Sequence, residues 1–138
     1  MIKLVGCAIV ALDRNDPHRV LLGKRTKEEG KDLWVLPGGK VDDNESTTEC
    51  VKREAFEEVG LTLTAPVSCY HNWLPDQGGM LMLYFTEAVN PLAVELRAVH
   101  EFSELKWFDV HELPELMWAS DVRAIRATYQ MLGLTVSV

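Results

Sequence analysis

The stretch that most constrains this chain is residues 39–61, because it carries the local signals for both ends of a helix. Ser46, with Glu49 three residues later, forms a capping box, in which each side chain satisfies a backbone N–H of the first turn. Gly60 stands where a helix ends in the left-handed conformation, which glycine adopts without steric cost. The sequence therefore predicts a short helix from about Thr47 to Glu58.

The predicted helix has one apolar face and one acidic face. At about 100° per residue, the apolar stripe is formed by Val51, Ala55 and Val59, with Thr48. An arc turned away from that stripe holds three carboxylates, Glu54, Glu57 and Glu58. Glutamate is a good helix former, so a solvated acidic face is the plainer interpretation. However, Glu54 and Glu58 repel each other at i,i+4 near the partially negative end of the helix, and a divalent cation would reverse that repulsion. Carboxylate oxygens suit Mg²⁺ or Mn²⁺.

The spacing of the whole stretch is more specific than its charge. It fits the pattern G-x5-E-x7-R-E-U-x-E-E-x-G-U, where U is apolar, and its fixed positions are Gly39, Glu45, Arg53, Glu54, Glu57, Glu58 and Gly60. This pattern resembles the Nudix box, the signature of the Nudix (MutT-like) hydrolases. Ala55 is smaller than the aliphatic residue usual at its position, which affects packing and leaves the chemistry intact.

The resemblance implies a fold and a reaction. Nudix proteins are α/β, with a central mixed sheet in an α/β/α sandwich, and we expect residues 1–138 to form one such domain around the box at 39–61. Nudix enzymes cleave a nucleoside diphosphate linked to another group, by attack of water on phosphorus with divalent metals bound to the box carboxylates. Phosphoryl transfer depends on positioning and charge neutralisation, so the acidic helix suits this chemistry with Mg²⁺ or Mn²⁺ as cofactor.

The resemblance also implies roles for single residues. The expected metal ligands are the Gly39 carbonyl and the carboxylates of Glu54, Glu57 and Glu58. One of these glutamates, or one from a later loop, takes the proton from water, and the sequence leaves that choice open. Arg53 is expected to be a clamp that pairs with box carboxylates, including the one at Glu45.

A further metal and catalytic carboxylate is expected just before the last strand, where Glu101 and Glu104 compete. In MutT-like members a glutamate several residues ahead of the strand's aromatic reaches the metal centre, and Glu101, six before Trp107, fits that spacing better. A loop residue can also swing inward on binding, whereas Glu104 adjoins the strand and is held by its pleat. The alternative is that both are ordinary loop carboxylates.

Three cations are candidate substrate contacts. Lys24 and Arg25 end a predicted strand, where they could instead be solvent-facing charges. Lys40 ends the segment LWVLPGGK, which resembles the approach to the box in members that act on nucleoside triphosphates. In a phosphate-binding cleft such cations would contact the polyphosphate.

The substrate is less determined than the reaction. The segment LWVLPGGK and the short length favour a noncanonical or oxidised nucleoside triphosphate, cleaved to a monophosphate and pyrophosphate. ADP-ribose or another nucleotide sugar is the alternative, although Pro75 falls near but not on the place of the proline that ADP-ribose pyrophosphatases carry. A ligand-sensing Nudix domain without turnover is a third possibility, and the complete set of box carboxylates disfavours it.

Length and charge limit the number of domains and the kind of partner that the chain can bind. With 138 residues and 47% apolar content, the chain suffices for one domain with a real core. A net charge of −7 argues against nucleic-acid partners and favours a small nucleotide whose charge a metal neutralises. No apolar run is long enough to span a bilayer, and the three cysteines show no paired spacing. We therefore expect a cytoplasmic monomer or homodimer that does not bind membranes.

The remaining elements follow from hydrophobic patterning. Strands are predicted at 4–12, 20–25, 33–36, 61–70 (with a break at Pro66), 80–85 and 105–110. Residues 13–18 are expected to form a turn, and 71–79 a loop or hairpin connection. A final helix is predicted from a cap at Ser120, with Gly133 as its stop and an inner stripe of Val122, Ile125, Tyr129 and Leu132.

Overall fold

A computed structural model describes residues 3–13, 16–64, 66–74 and 79–133. The elements within it, in chain order, are β1 (Lys3–Asp13), β2 (Asp16–Arg25), β3 (Trp34–Val35), β4 (Gly38–Lys40), α1 (Thr47–Val59), β5 (Val67–Leu74), β6 (Gly79–Glu87), a short 3₁₀ helix (Pro91–Ala93), β7 (Phe102–Asp109) and α2 (Ala119–Met131).

The seven strands form one mixed sheet. Its main path runs β3-β2-β1-β6-β5, while β4 pairs with β1 and β7 pairs with β2. Only the pairing of β1 with β6 is parallel among these strands; the others are antiparallel. A parallel pair needs a long crossover connection, and the chain between β1 and β6 includes α1. The prediction of a mixed sheet is confirmed.

Each face of the sheet carries one helix over its own core. On one face Leu21 packs with the apolar residues of α1, and on the other Val20 and Leu22 pack with α2. The three neighbours lie on alternate faces because side chains alternate along a strand, and each is 0% exposed. Burying a side chain of this size stabilises the fold by about 1.5–3 kcal/mol. The expected α/β/α sandwich is therefore the observed architecture.

Several strands are longer than their sequence patterns indicated. Strand β1 extends to Asp13 and β2 begins at Asp16, so the predicted turn at 13–18 is wrong at both ends. The strand predicted at 61–70 is observed as β5 from Val67, and it continues to Leu74, within the predicted loop or hairpin connection at 71–79, because its residues pair with β6. Strand β7 begins at Phe102 because it pairs with β2 from Arg19 to Arg25. Pairing with a neighbour extended strands whose own residues lack clear periodicity.

The last helix also begins differently from the prediction. Its N-cap position is Trp118, which makes no side-chain cap hydrogen bond, so Ser120 is not the cap. Ile125 and Tyr129 are fully buried as predicted, whereas Leu132 is 43% exposed because it follows the helix end. Gly133 has φ 74°, the left-handed conformation expected of the stop.

No helix among the described residues is long and apolar enough to cross a membrane.

Candidate active site

Helix α1 is fixed by the caps that its sequence predicts. The Ser46 side chain accepts the Glu49 N–H at 3.1 Å, and the Glu49 carboxylate accepts the Ser46 N–H at 3.1 Å. At the other end Gly60 has φ 72° and donates its N–H to Phe56. The apolar face is buried against the sheet, and its members are Val51, Ala55 and Val59. The helix is therefore held firmly enough to carry several like charges.

Arg53 donates hydrogen bonds to several carboxylates of the site. Its guanidinium binds Glu45 through two hydrogen bonds, Nε to Oε2 at 2.7 Å and Nη2 to Oε1 at 3.1 Å. Its Nη1 reaches Glu54 and Glu57, each at 3.1 Å. Hydrogen bonding to Arg53 lowers the pKa of Glu45 to about 2, and the carboxylates raise the pKa of Arg53. The predicted pairing of Arg53 with Glu45 is confirmed, in the bidentate form expected of arginine.

Glu58 is buried, contrary to the expectation that all three helix glutamates turn away from the core. It is 3% exposed, and its Oε1 accepts the Gly38 N–H at 3.0 Å. Its Oε2 has no hydrogen-bond partner among the described residues. Burial, followed by the neighbouring carboxylates of Glu101 and Glu54, raises the pKa of Glu58 to about 10. Without a cation nearby, Glu58 therefore holds a proton at neutral pH.

Glu54 and Glu57 occupy different environments from Glu58 on the same helix. The side chain of Glu57 is 56% exposed, whereas that of Glu54 is 15% exposed. Burial raises the pKa of Glu54, and Arg53 opposes that shift. The helical arc predicted from spacing thus contains an exposed, a half-buried and a buried carboxylate.

Glu101 reaches this group from the turn before β7. Its carboxylate pairs with Lys27 at 3.2 Å and lies beside Glu58. The Glu58 carboxyl first, and then Lys27, lower the pKa of Glu101, so the pKa values of the two neighbouring carboxyl groups shift in opposite directions. Glu104 lies inside β7 with an exposed side chain, in register with Lys24. The structure brings Glu101, and not Glu104, to the acidic helix.

Gly39 lies where the backbone approaches the helix closely. A Cβ at this position would run into the carboxylate of Glu54. The Gly39 carbonyl accepts the Cys50 thiol, with an O to Sγ distance of 3.6 Å. Burial, followed by the nearby Glu45 and Glu54, raises the pKa of this thiol to about 11, so Cys50 stays a protonated, structural group.

A cavity of about 690 Å³ opens beside the acidic helix. Glu54 and Glu101 line part of it, and its cations are Arg25, Lys27 and Lys40. Two of the three predicted substrate contacts, Arg25 and Lys40, therefore lie at the cavity, and Lys24 is not among its lining residues. Consecutive residues of a strand point to opposite faces, which accounts for the separation of Lys24 from Arg25.

Lys27, Trp118 and Asp121 line the cavity and were not singled out by the sequence analysis. Lys27 lies in a polar loop without a pattern. Trp118 lies beneath the Arg25 guanidinium, whose central carbon is 4.8 Å from the ring centroid. Asp121 is 8% exposed and accepts the Leu36 N–H at 3.0 Å. Its place four residues before the buried Ile125 is the signal that could have revealed it, since both lie on one helix face.

The residues of this site fit a divalent cation. Among the described residues no group of three or more His, Cys, Asp or Glu side chains is arranged to hold a metal ion, and Arg53 donates hydrogen bonds to the carboxylates of Glu54 and Glu57. Even so, the buried Oε2 of Glu58 lacks a partner, and the missing Cβ of Gly39 leaves the Glu54 carboxylate against bare backbone. Oxygen donors of this kind suit Mg²⁺ or Mn²⁺.

Three relatives resemble the chain in sequence. An RNA pyrophosphohydrolase of Novosphingobium aromaticivorans is 28% identical over 123 residues, covering 75% of this chain and 76% of the relative. An oxidized purine nucleoside triphosphate hydrolase of Danio rerio is 31% identical over 121 residues, covering 77% and 69%. An ADP-ribose pyrophosphatase of Methanocaldococcus jannaschii is 32% identical over 104 residues, covering 72% and 59%. The three names refer to different substrates, which are RNA, oxidised purine nucleoside triphosphates and ADP-ribose.

The chain also resembles a solved structure and matches a family model. The crystal structure of a NUDIX hydrolase from Nitrosomonas europaea superposes with a TM-score of 0.81 at 20% identity, covering 99% of this chain and 76% of the other, which shows the fold. The family model described as NUDIX domain matches residues 3–128. The chain therefore belongs to the Nudix family of hydrolases, which act on nucleotide diphosphate-linked substrates and generally use divalent metal ions.

Proposed function

We propose that this Nudix hydrolase cleaves a noncanonical or oxidised nucleoside triphosphate to a nucleoside monophosphate and pyrophosphate. The observation that carries the proposal is the cavity in which carboxylates and cations meet beside α1. A polyphosphate needs both, because side-chain cations bind its outer oxygens while a metal held by carboxylates neutralises the oxygens nearest the reacting phosphorus. The relative from Danio rerio, named for oxidised purine nucleoside triphosphates, gives further support.

We assign the metal site to Glu54, Glu57, Glu58 and Glu101, with the Gly39 carbonyl. The unpartnered Oε2 of Glu58 is the strongest support, because a buried carboxylate oxygen is stable only with a proton or a cation beside it. When bound, Mg²⁺ or Mn²⁺ would polarise the phosphate oxygens and lower the pKa of the attacking water.

The chain's own residues would bind, orient and move protons. Arg25 and Lys40 contact the polyphosphate, and Arg53 keeps Glu54 and Glu57 in place. The water oxygen bonds to a phosphorus of the α–β bridge, the bridging P–O bond breaks, and the departing phosphate group leaves with the electron pair of that bond. The proton of the water passes to a carboxylate of the cluster, and Glu57 and Glu101 are the candidates that solvent reaches.

A substrate panel tests the assignment. Purified protein is assayed with Mg²⁺ or Mn²⁺ on oxidised and ordinary nucleoside triphosphates, ADP-ribose and a 5′-triphosphorylated RNA, and the products are separated by ion exchange. We expect the highest kcat/KM with a nucleoside triphosphate and release of pyrophosphate. A tenfold preference for ADP-ribose or the RNA, about 1.4 kcal/mol in transition-state binding, would refute the substrate. No turnover of any compound would favour a ligand-sensing role.

Paired variants test the residues. Glu57→Gln should lose most of the turnover that Mg²⁺ or Mn²⁺ supports, and full activity at saturating metal would contradict its assignment. Glu101→Gln should lose on the order of 10²- to 10⁴-fold in kcat with little change in stability, since it removes a ligand or base. Glu104→Gln, two residues into β7, is the matched control and should stay near wild type. The reverse pattern would move the role to Glu104.

A further inference from the structure

The segment at residues 95–98 closes the C-terminal end of α1. Glu95 donates its N–H to the Val59 carbonyl at 2.9 Å. The N–H groups of Arg97 and Ala98 both reach the Glu58 carbonyl, at 3.1 and 3.3 Å. The last carbonyls of a helix have no partner within it, so a segment from elsewhere in the chain satisfies them here. The backbone of Glu58 is thereby tied to a loop.

The side chain of Arg97 strengthens this cap. Its Nη1 donates to the Phe56 carbonyl at 3.1 Å, and its guanidinium lies over the Phe56 ring, 4.8 Å from the centroid. Its Nε pairs with Glu95 at 3.2 Å. Helix α1 has no basic residue in its last turn, although that end is partially negative. Arg97 supplies the missing positive charge from another part of the chain.

The capping segment leads directly to Glu101. The Ala98 carbonyl accepts the N–H groups of both Glu101 and Phe102, each at 2.9 Å, which forms a tight turn. Phe102 is 3% exposed and anchors the end of the turn. On the far side, Thr26 donates its N–H to the Glu101 carbonyl at 2.9 Å. Ala98 therefore links the cap of α1 to the residue whose carboxylate lies beside the Glu58 side chain.

We propose that Arg97 is a positioning residue for the metal site. By holding Phe56 and the start of the turn, it fixes the distance between the backbone of Glu58 and that of Glu101, so that their carboxylates face the same point. The proposal rests on the proposed function in one respect, the assignment of Glu58 and Glu101 as metal ligands. Residues that orient ligands typically change metal affinity by 10- to 100-fold when they are lost.

The variants are chosen to keep the fold. Arg97→Met retains an apolar stem of similar length against Phe56 and removes the donors and the charge. Arg97→Lys retains the charge and one donor group, so its effects should be intermediate. Arg126→Ala removes an exposed arginine of α2 and serves as the matched control. If Arg97→Met fails to fold, Arg97→Lys carries the same measurements with smaller expected changes.

The first measurement needs neither metal nor substrate. Amide hydrogen exchange in the metal-free protein should show Ala98 and Glu101 exchanging at least tenfold faster in Arg97→Met, while the amides of β7 beyond Phe102 are unchanged. Arg126→Ala should match wild type. Unchanged exchange at Ala98 and Glu101 would overturn the proposal, because the turn would then hold its place without Arg97.

The second measurement is Mn²⁺ binding, read by electron paramagnetic resonance. Arg97→Met should weaken binding on the order of tenfold, and adding it to Glu101→Gln should weaken binding little further, because the two changes act through one carboxylate. Unaltered Mn²⁺ affinity in Arg97→Met, or full additivity with Glu101→Gln, would overturn the positioning role. Failure of the wild type to hydrolyse the nucleotide panel would contradict the proposed function and leave both of these measurements readable.

Discussion

Replacement of Asp121 by asparagine should change how stability depends on pH. Burial raises the pKa of this carboxyl to about 6 in the folded protein, against an ordinary value of 3.8, although the Leu36 N–H and Arg25 oppose the shift. Between these two values the folded state binds the proton and the unfolded state has lost it. The free energy of unfolding therefore falls as pH rises from about 4 to 6, and stays reduced above that.

The size of the effect follows from the difference between the two pKa values. At 1.36 kcal/mol for each unit, the ionised carboxylate should cost the fold about 3 kcal/mol at pH 7.5. Asparagine cannot ionise, and its amide oxygen can still accept the Leu36 N–H. Relative to wild type, Asp121→Asn should therefore gain about 2.5 kcal/mol at pH 7.5 compared with pH 4, where the unfolded carboxyl is already partly ionised.

Urea unfolding followed by circular dichroism measures this difference. The titration is run at pH 4, 5, 6 and 7.5 in the presence of EDTA, so that metal binding does not contribute to stability. Asp43→Asn, at an exposed position, is the control and should track wild type at every pH. If the stability difference between Asp121→Asn and wild type is the same at all four pH values, folding does not raise the pKa of Asp121.

Three further substitutions test the acidic helix and its surroundings. Gly39→Ala should displace the carboxylate of Glu54 and weaken Mn²⁺ binding by at least tenfold while circular dichroism reports a normal fold; unaltered binding would mean that Glu54 does not need its present place. Gly60→Ala should lower the free energy of unfolding by about 1–2 kcal/mol in urea, because φ there is 72° and Arg97 lies over the site; a neutral result would contradict the left-handed conformation. Ser46→Ala should cost about 1 kcal/mol in the same assay, and no loss would mean that its cap hydrogen bond is not formed.

Local sequence signals were sufficient to predict those features that depend on residues close together in the sequence. The bounds of α1 follow from Ser46 and Gly60, and its buried face follows from the spacing of Val51, Ala55 and Val59. The clamp of Arg53 on Glu45 was implied by the resemblance of residues 39–61 to the Nudix box. These features need no information from the rest of the fold.

Features that depend on distant segments were not predictable from local pattern. The strand bounds follow pairing partners, as in β5, which continues to Leu74 beside β6. The burial of Glu58 depends on the Gly38 N–H, twenty positions earlier, and on a turn that brings Glu101 across. Helical spacing places Glu58 on the same arc as the exposed Glu57, so periodicity alone could not separate their environments. Trp118 and Asp121 reach the cavity only because α2 packs on the sheet beside Arg25.

The different environments of Glu54, Glu57 and Glu58 explain how one short helix can hold three carboxylates at a phosphate-binding site. Three equally solvated glutamates would bind a cation weakly, because water competes for each of them, and three equally buried ones would oppose folding. Here Arg53 donates hydrogen bonds to Glu54 and Glu57, while burial raises the pKa of Glu58 and so favours its neutral form in the absence of a cation. The fold therefore tolerates the cluster without metal, and it keeps one oxygen of Glu58 unpartnered where the strongest new contact can form. Burying that oxygen destabilises the fold, and the apolar face of α1 and its caps offset this effect. These are the parts of the helix that its own sequence specifies most directly.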